Sequence, residues 1–126
     1  MAIIYNPNKK IFTLHTAHTT YQMQVDTLGY LLHLYYGEKT NSSMDYVLTY
    51  ADRGFSGNPY AAGMDRTYSL DALPQEYPSL GTGDYRNIAL NIKNEKGVES
   101  ADLLFKSYEI RSGKYQLQGL PAVWAD

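Results

Sequence analysis

The chain has 126 residues, with 11 Lys or Arg against 13 Asp or Glu and a formal charge of −2. It lacks the basic excess that neutralises phosphate, so neither a nucleic acid nor an anionic membrane is an expected partner. Cysteine is absent, which excludes disulfides, thiolate metal sites and a cysteine nucleophile. Tyrosine is the dominant large side chain, with 13 residues against 3 Phe and 1 Trp, and rings whose hydroxyls need partners suit half-covered sheet faces.

The opening Met1-Ala2-Ile3-Ile4-Tyr5-Asn6-Pro7 has no basic segment leading into an apolar run. No stretch approaches the roughly 18 apolar residues of a membrane span, so a soluble, cytoplasmic protein is expected. The first strand is predicted at Ile3 to Tyr5, and the Asn- and Pro-containing segment 6–10 reads as a turn. Phe12 and Leu14 then share one strand face, with Thr13 and His15 on the other. Residues 16–20 are polar and read as another turn. Tyr21, Met23 and Val25 alternate with Gln22, Gln24 and Asp26, a period of two whose polar face should meet water or a wet cleft. After Gly29, the nearly continuous apolar run 30–36 reads as a central strand covered on both faces.

From Gly37 to Met64 the periodicity disappears. An irregular connection that long inside a small domain is usually a functional loop or lid. A short strand is predicted at 67–70, a tight turn at 71–74, and a second loop at 75–86 containing Pro78, Gly81 and Gly83. The tail returns to alternation: Ile88, Leu90 and Ile92 share a face, and Asn94-Glu95-Lys96-Gly97 forms a hairpin connection. Segments 104–110 and 115–117 flank a turn at Ser112-Gly113. Helical periodicity is not sustained anywhere, and no linker is visible. The expected fold is one all-β domain over residues 1–126, an antiparallel β-sandwich incomplete at its C-terminal end.

His15 and His18, three apart on a strand, fall on opposite faces, so no metal site is expected. Gly81-Thr82-Gly83 looks like a phosphate cradle but leads into a strand rather than a helix, which favours a turn. Asn41-Ser42-Ser43 fits a glycosylation pattern but reads as a polar loop without a secretory signal. Asp52, Asp65, Asp71, Glu76 and Asp84 lie in or beside the two loops. A carboxyl pair among them would suit glycoside cleavage; alternatively they cap turns and pair with Arg53, Arg66 and Arg86. The segment Tyr50 to Pro59 combines Asp52, Arg53 and Phe55 with small residues. A ring can pack on the C–H face of a pyranose while Asp and Arg take its hydroxyls.

At these loops the chain resembles the N-terminal domain of bacterial α-galactosidases of glycoside hydrolase family 36. The matching pieces include Ile4-Tyr5-Asn6-Pro7, His33-Leu34-Tyr35-Tyr36-Gly37, Asp52-Arg53-Gly54-Phe55-Ser56, Gln75-Glu76-Tyr77-Pro78, Gly81-Thr82-Gly83-Asp84-Tyr85-Arg86 and Gly119-Leu120-Pro121-Ala122. Their order and spacing make the combination specific. The resemblance implies a retaining, cofactor-free enzyme acting on terminal α-galactosyl groups of raffinose-type oligosaccharides and melibiose. It also implies a β-supersandwich preceding a (β/α)8 barrel that carries both catalytic aspartates, so the barrel is absent from this chain and no catalytic residue is expected within it. Homo-oligomers are implied too, with the Asp-Arg loop reaching toward a neighbouring active site. By this match Asp52 would contact a sugar hydroxyl with Arg53 and Phe55 beside it, and Glu76, Asp84 and Arg86 would anchor the second loop. The family's pocket-mouth tryptophan has no counterpart in the loop, because Trp124 lies elsewhere. A stand-alone galactoside-binding module and an oligomerisation domain are the alternatives.

Overall fold

In the computed structural model, residues 2–54, 57–113 and 119 are described. Four strands, β1 (Ala2–Asn6), β2 (Ile11–His15), β3 (Thr19–Val25) and β4 (Leu31–Glu38), form one open antiparallel sheet in the order β1-β2-β3-β4. Each connection is closed by a short polar side chain that accepts backbone N–H groups, which is why these residue types punctuate the strands. Asn6 Oδ1 accepts from the amides of Asn8 and Lys9, and Thr16 Oγ1 from those of His18 and Thr19. Asp26 Oδ1 accepts from the amides of Leu28 and Tyr30 at 2.9 and 2.8 Å. The β3–β4 register shifts between Gln22 and Met23, which face Tyr35 and His33 respectively, leaving Leu34 as the extra residue of a bulge.

Both sheet faces are covered. On one, Leu32 is fully buried with Tyr30, Tyr68, Leu70 and Leu73, and Leu28, Leu48 and Ala62 pack around them. On the other, Phe12 is buried beneath aromatic neighbours, its ring centroid 4.5 Å from Tyr5, 4.9 Å from Tyr108 and 5.9 Å from Phe105. The continuous apolar run of β4 fits this two-sided cover.

Two polar positions of β3, Thr20 and Gln22, do not face water. Gln22 is only 2% exposed; its carboxamide donates to Ser42 O at 2.9 Å and accepts from the Met44 amide at 3.0 Å. Thr20 Oγ1 donates to Thr40 O and accepts from the Thr40 amide. The start of the long loop therefore lies on this face and satisfies its side chains with backbone groups, as buried polar atoms require.

The all-β antiparallel class holds, and the only helical pieces among the described residues are 3₁₀ turns at Asp45–Val47 and Tyr60–Ala62. The second half of the chain carries no ladder strand among those residues. Segment 67–70 is flanked by turns at Thr67 and Leu70, and 67–70, 88–92 and 104–110 have no ladder. The tail is tied instead by single bonds, from the Phe105 amide to Gly29 O at 2.8 Å and from the Ala101 amide to Leu80 O at 2.9 Å. The hairpin connection at 94–97 does form, with Asn94 Oδ1 accepting from the amides of Lys96 and Val98. Leu90, Ile92, Leu104 and Ile110 are exposed, and the alternation at 88–92 has no partner strand among the described residues. The predicted strand at 115–117 lies outside the described residues.

Candidate functional site: two loops seated on the sheet

The first loop leaves the sheet through Tyr50, whose ring lies 5.8 Å from that of Tyr68. The Tyr68 hydroxyl donates to Asp26 Oδ2, and burial, reinforced by this bond, pushes its pKa well above the ordinary tyrosine value. The same buried Asp26 thus closes the β3–β4 turn and fixes the foot of the loop.

Farther out, Asp52 Oδ1 accepts from the Gly54 amide at 2.8 Å, in a turn where Gly54 has φ +79°. Its two carboxylate oxygens face Arg66, with Oδ2 at 3.2 Å from Nε and Oδ1 at 3.4 Å from Nη2. Asp52 therefore pairs with Arg66 rather than with its neighbour Arg53. Arg53 is exposed and has no hydrogen-bond or ion-pair partner among the described residues. Phe55 lies outside the described residues. Asn58 Nδ2 donates to Asp65 O at 2.6 Å, joining the two arms of the loop. Asp65 itself accepts from the Thr67 hydroxyl and amide, which hold its carboxyl below the usual range.

The second loop is held more firmly. Asp84 is 3% exposed; its Oδ1 accepts from Arg86 N and Nε at 3.0 and 2.9 Å, and its Oδ2 from Arg86 Nη2 and Gln75 Nε2 at 2.6 and 2.8 Å. Arg86 Nη2 also donates to the carbonyls of Leu70 and Leu73, both at 2.7 Å. Burial by itself would raise the Asp84 carboxyl, but the hydrogen bonds and charge of Arg86 outweigh it and hold the group below the ordinary carboxylate range. Glu76 sits at the root of this loop, where it accepts from the Tyr21 hydroxyl and lies 3.1 Å from His33 Nδ1. The Glu76 amide donates to Leu31 O and the His33 amide to Pro74 O, so the root is laid along β4 like a short extra strand.

The two loops touch where Gly57 meets Gly83, backbone against backbone. Asp52 and Arg53 line neither of two surface clefts. One, of about 200 Å³, is bounded by Leu31, Gln75, Tyr77 and residues 103–105; the other, of about 420 Å³, lies beside Lys9, Lys10, Asp45 and Tyr50. Each of the five loop carboxylates is engaged by a donor of this chain, Asp71 by the Ser69 hydroxyl. Among the described residues no group of His, Asp and Glu is arranged to hold a metal ion, and no helix is long and apolar enough to cross a membrane. His15 Nδ1 is hydrogen-bonded to Thr20. Sequence reasoning had no signal for Gln75 as a partner of Asp84, or for Asn58 as the clasp of the first loop.

The described residues thus form an open antiparallel β-sheet, with Asp52 and Arg53 exposed on a loop outside the two clefts described. The sequence matches the glycosyl hydrolase family 36 N-terminal domain over residues 29–126, and the chain belongs to that family. It is 98% identical over 126 residues to the bifunctional α-galactosidase/sucrose kinase AgaSK of Mediterraneibacter gnavus, covering 100% of this chain and 14% of that protein. Its fold superposes on the galactosidase domain of AgaSK with a TM-score of 0.93 at 98% identity, covering 99% of this chain and 17% of that one. It also superposes on the family 36 α-galactosidase AgaB of Geobacillus stearothermophilus with a TM-score of 0.86 at 42% identity, covering 99% and 17%. A variant of AgaA from the same organism, solved in complex with raffinose, gives a TM-score of 0.82 at 39% identity over 93% of this chain and 16% of that one. The chain thus spans between 14% and 17% of the length of these relatives.

Proposed function

We propose that this chain serves as the scaffold domain of a cytoplasmic α-galactosidase that removes terminal α-galactosyl groups from raffinose-type oligosaccharides and melibiose. The reactive carboxyl groups stand on other polypeptide, and the loop around Asp52 contributes sugar contacts at the rim of an active site in a homo-oligomer. The observation that carries this reading is the exposure of Asp52, Arg53 and Arg66 on a projecting loop outside both clefts. A sugar held there needs a second wall. Asp52, whose two oxygens face Arg66, keeps further acceptor lone pairs for vicinal hydroxyls, and Arg53, which has no partner among the described residues, offers donors. Glu76, Asp84 and Arg86 serve as anchors of the second loop, since all their strong contacts are made within the domain. The raffinose complex of the AgaA variant is in keeping with this substrate class.

Retaining glycosidases need two carboxyl groups about 5–5.5 Å apart, and every loop carboxylate here already has a structural partner. The isolated chain is therefore expected to give no turnover of an aryl α-galactoside and no saturable heat on titration with raffinose. Turnover that survives removal of contaminating enzyme would contradict the assignment of chemistry to other polypeptide. Saturable galactoside binding by the isolated chain would instead make it a self-sufficient binding module.

A further inference from the structure

We propose that Gly83 is a positioning residue for Asp52: the second loop is the seat on which the first loop rests, and the Gly57–Gly83 contact sets where the Asp52 carboxylate stands. The inference rests on the reading that Asp52 contacts the sugar. A Cβ on Gly83 would lie 2.7 Å from the carbonyl oxygen of Gly57 and 3.0 Å from its carbonyl carbon. The φ of Gly83 is +90°, a conformation glycine adopts without steric cost. A Cβ on Gly57 would come within 3.1 Å of Gly83 Cα. No side chain separates the two backbones.

The seat is rigid on its far side. Asp84, the next residue, is locked by Arg86 and Gln75, and Arg86 is tied in turn to the Leu70 and Leu73 carbonyls of the core. Gly81 is pressed against Ser100, whose Oγ would stand 2.0 Å from an added Cβ, and the Ser79 hydroxyl donates to Ala101 O at 2.6 Å. From Gly57 outward, the next residue, Asn58, is bonded to Asp65 O, and Arg66 follows Asp65 and holds the Asp52 carboxylate. Asp52 itself is exposed. Its position is therefore inherited from the seat. A hydrogen bond weakens steeply when its distance and angle are wrong, so a shift of the seat would be read as lost affinity.

The test uses an α-galactosidase of this family carrying residues 1–126 as its N-terminal domain. Gly83→Ala is the direct variant. Gly57→Ala, at a residue outside the left-handed region, covers the case in which Gly83→Ala fails to fold. Each is made alone and together with Asp52→Ala, and KM and kcat for raffinose are measured with the hydrogen-exchange rate of the Gly54 amide. The expected result is a KM about fivefold higher with kcat within about twofold. The Asp52→Ala background should show no further rise, because contacts acting through one residue are non-additive. Exchange at Gly54 should accelerate at least about tenfold. An equal rise in KM in the Asp52→Ala background would overturn the proposal, as would unchanged KM with unchanged exchange. If Asp52→Ala alone leaves KM unchanged, the sugar contact fails; the exchange rate then decides the seat, faster exchange upholding it and unchanged exchange overturning it.

Discussion

Asp84 is buried, charged and fully hydrogen-bonded, and the residues around it give the reason. It accepts four hydrogen bonds from Arg86 and Gln75 while Arg86 Nη2 also donates to the core carbonyls of Leu70 and Leu73. Removing one partner strands the others. Asp84→Ala is expected to cost about 3 kcal/mol of stability, read from the urea midpoint, whereas Asp52→Ala at the exposed Arg66 pair should cost less than about 1 kcal/mol. The folded pKa of Asp84 is lowered, so its contribution is fully present above the unfolded value of about 3.9 and is lost as pH falls through the folded one. Asp84→Asn should flatten that acid limb of the stability curve. Tyr21, Tyr30 and Tyr68 are shifted the opposite way, each first by burial and then by a carboxylate partner. Their contribution is fully present below about pH 10 and is lost as pH rises beyond it. In an absorbance titration, these three rings should ionise only together with unfolding; normal titration of all 13 tyrosines in the folded protein would refute the burial described.

The four strands show what local pattern can and cannot specify. β1 to β3 were legible from short alternating runs and β4 from its nearly continuous apolar run, because these patterns and the side chains of Asn6, Thr16 and Asp26 act within a few residues of one another. The cover over β3 was not, because Gln22 looks in sequence like any solvent-facing strand residue, and only the return of residues 40–44 turns it into a buried clamp. Gln22→Ala should therefore lower stability by about 2 kcal/mol, while Gln24→Ala, whose amide makes one exposed bond to Lys9 O, should change it by less than about 0.5 kcal/mol. Equal effects would mean that the loop is not held by that face. The apolar alternation of Ile88, Leu90 and Ile92 is as regular as that of β3, yet a ladder needs a neighbouring backbone, and no local pattern states where that neighbour lies.

At the scale of the molecule, the open sheet and its exposed loop make sense together. The outer edge of β1 has no ladder partner among the described residues, and Ile4 on it is 55% exposed, a combination that tends to recruit another chain. The domain in solution is expected to self-associate; a sedimentation run showing only the 14.3 kDa species across a wide concentration range would count against this. Asp52, Arg53, Glu76, Asp84 and Arg86 could be picked out because the segments Asp52-Arg53-Gly54-Phe55-Ser56, Gln75-Glu76-Tyr77-Pro78 and Gly81-Thr82-Gly83-Asp84-Tyr85-Arg86 resemble family motifs. Which of them face outward could not be, since that depends on Arg66, Asn58 and Gln75 arriving from elsewhere in the chain. The most direct test is a crystal structure of a family 36 α-galactosidase bearing this N-terminal sequence with raffinose bound. The expected result is the Asp52 carboxylate within about 2.6–3.2 Å of a galactosyl hydroxyl. A galactosyl group enclosed entirely by other residues, with Asp52 still paired only to Arg66 and turned away from the sugar, would contradict the account.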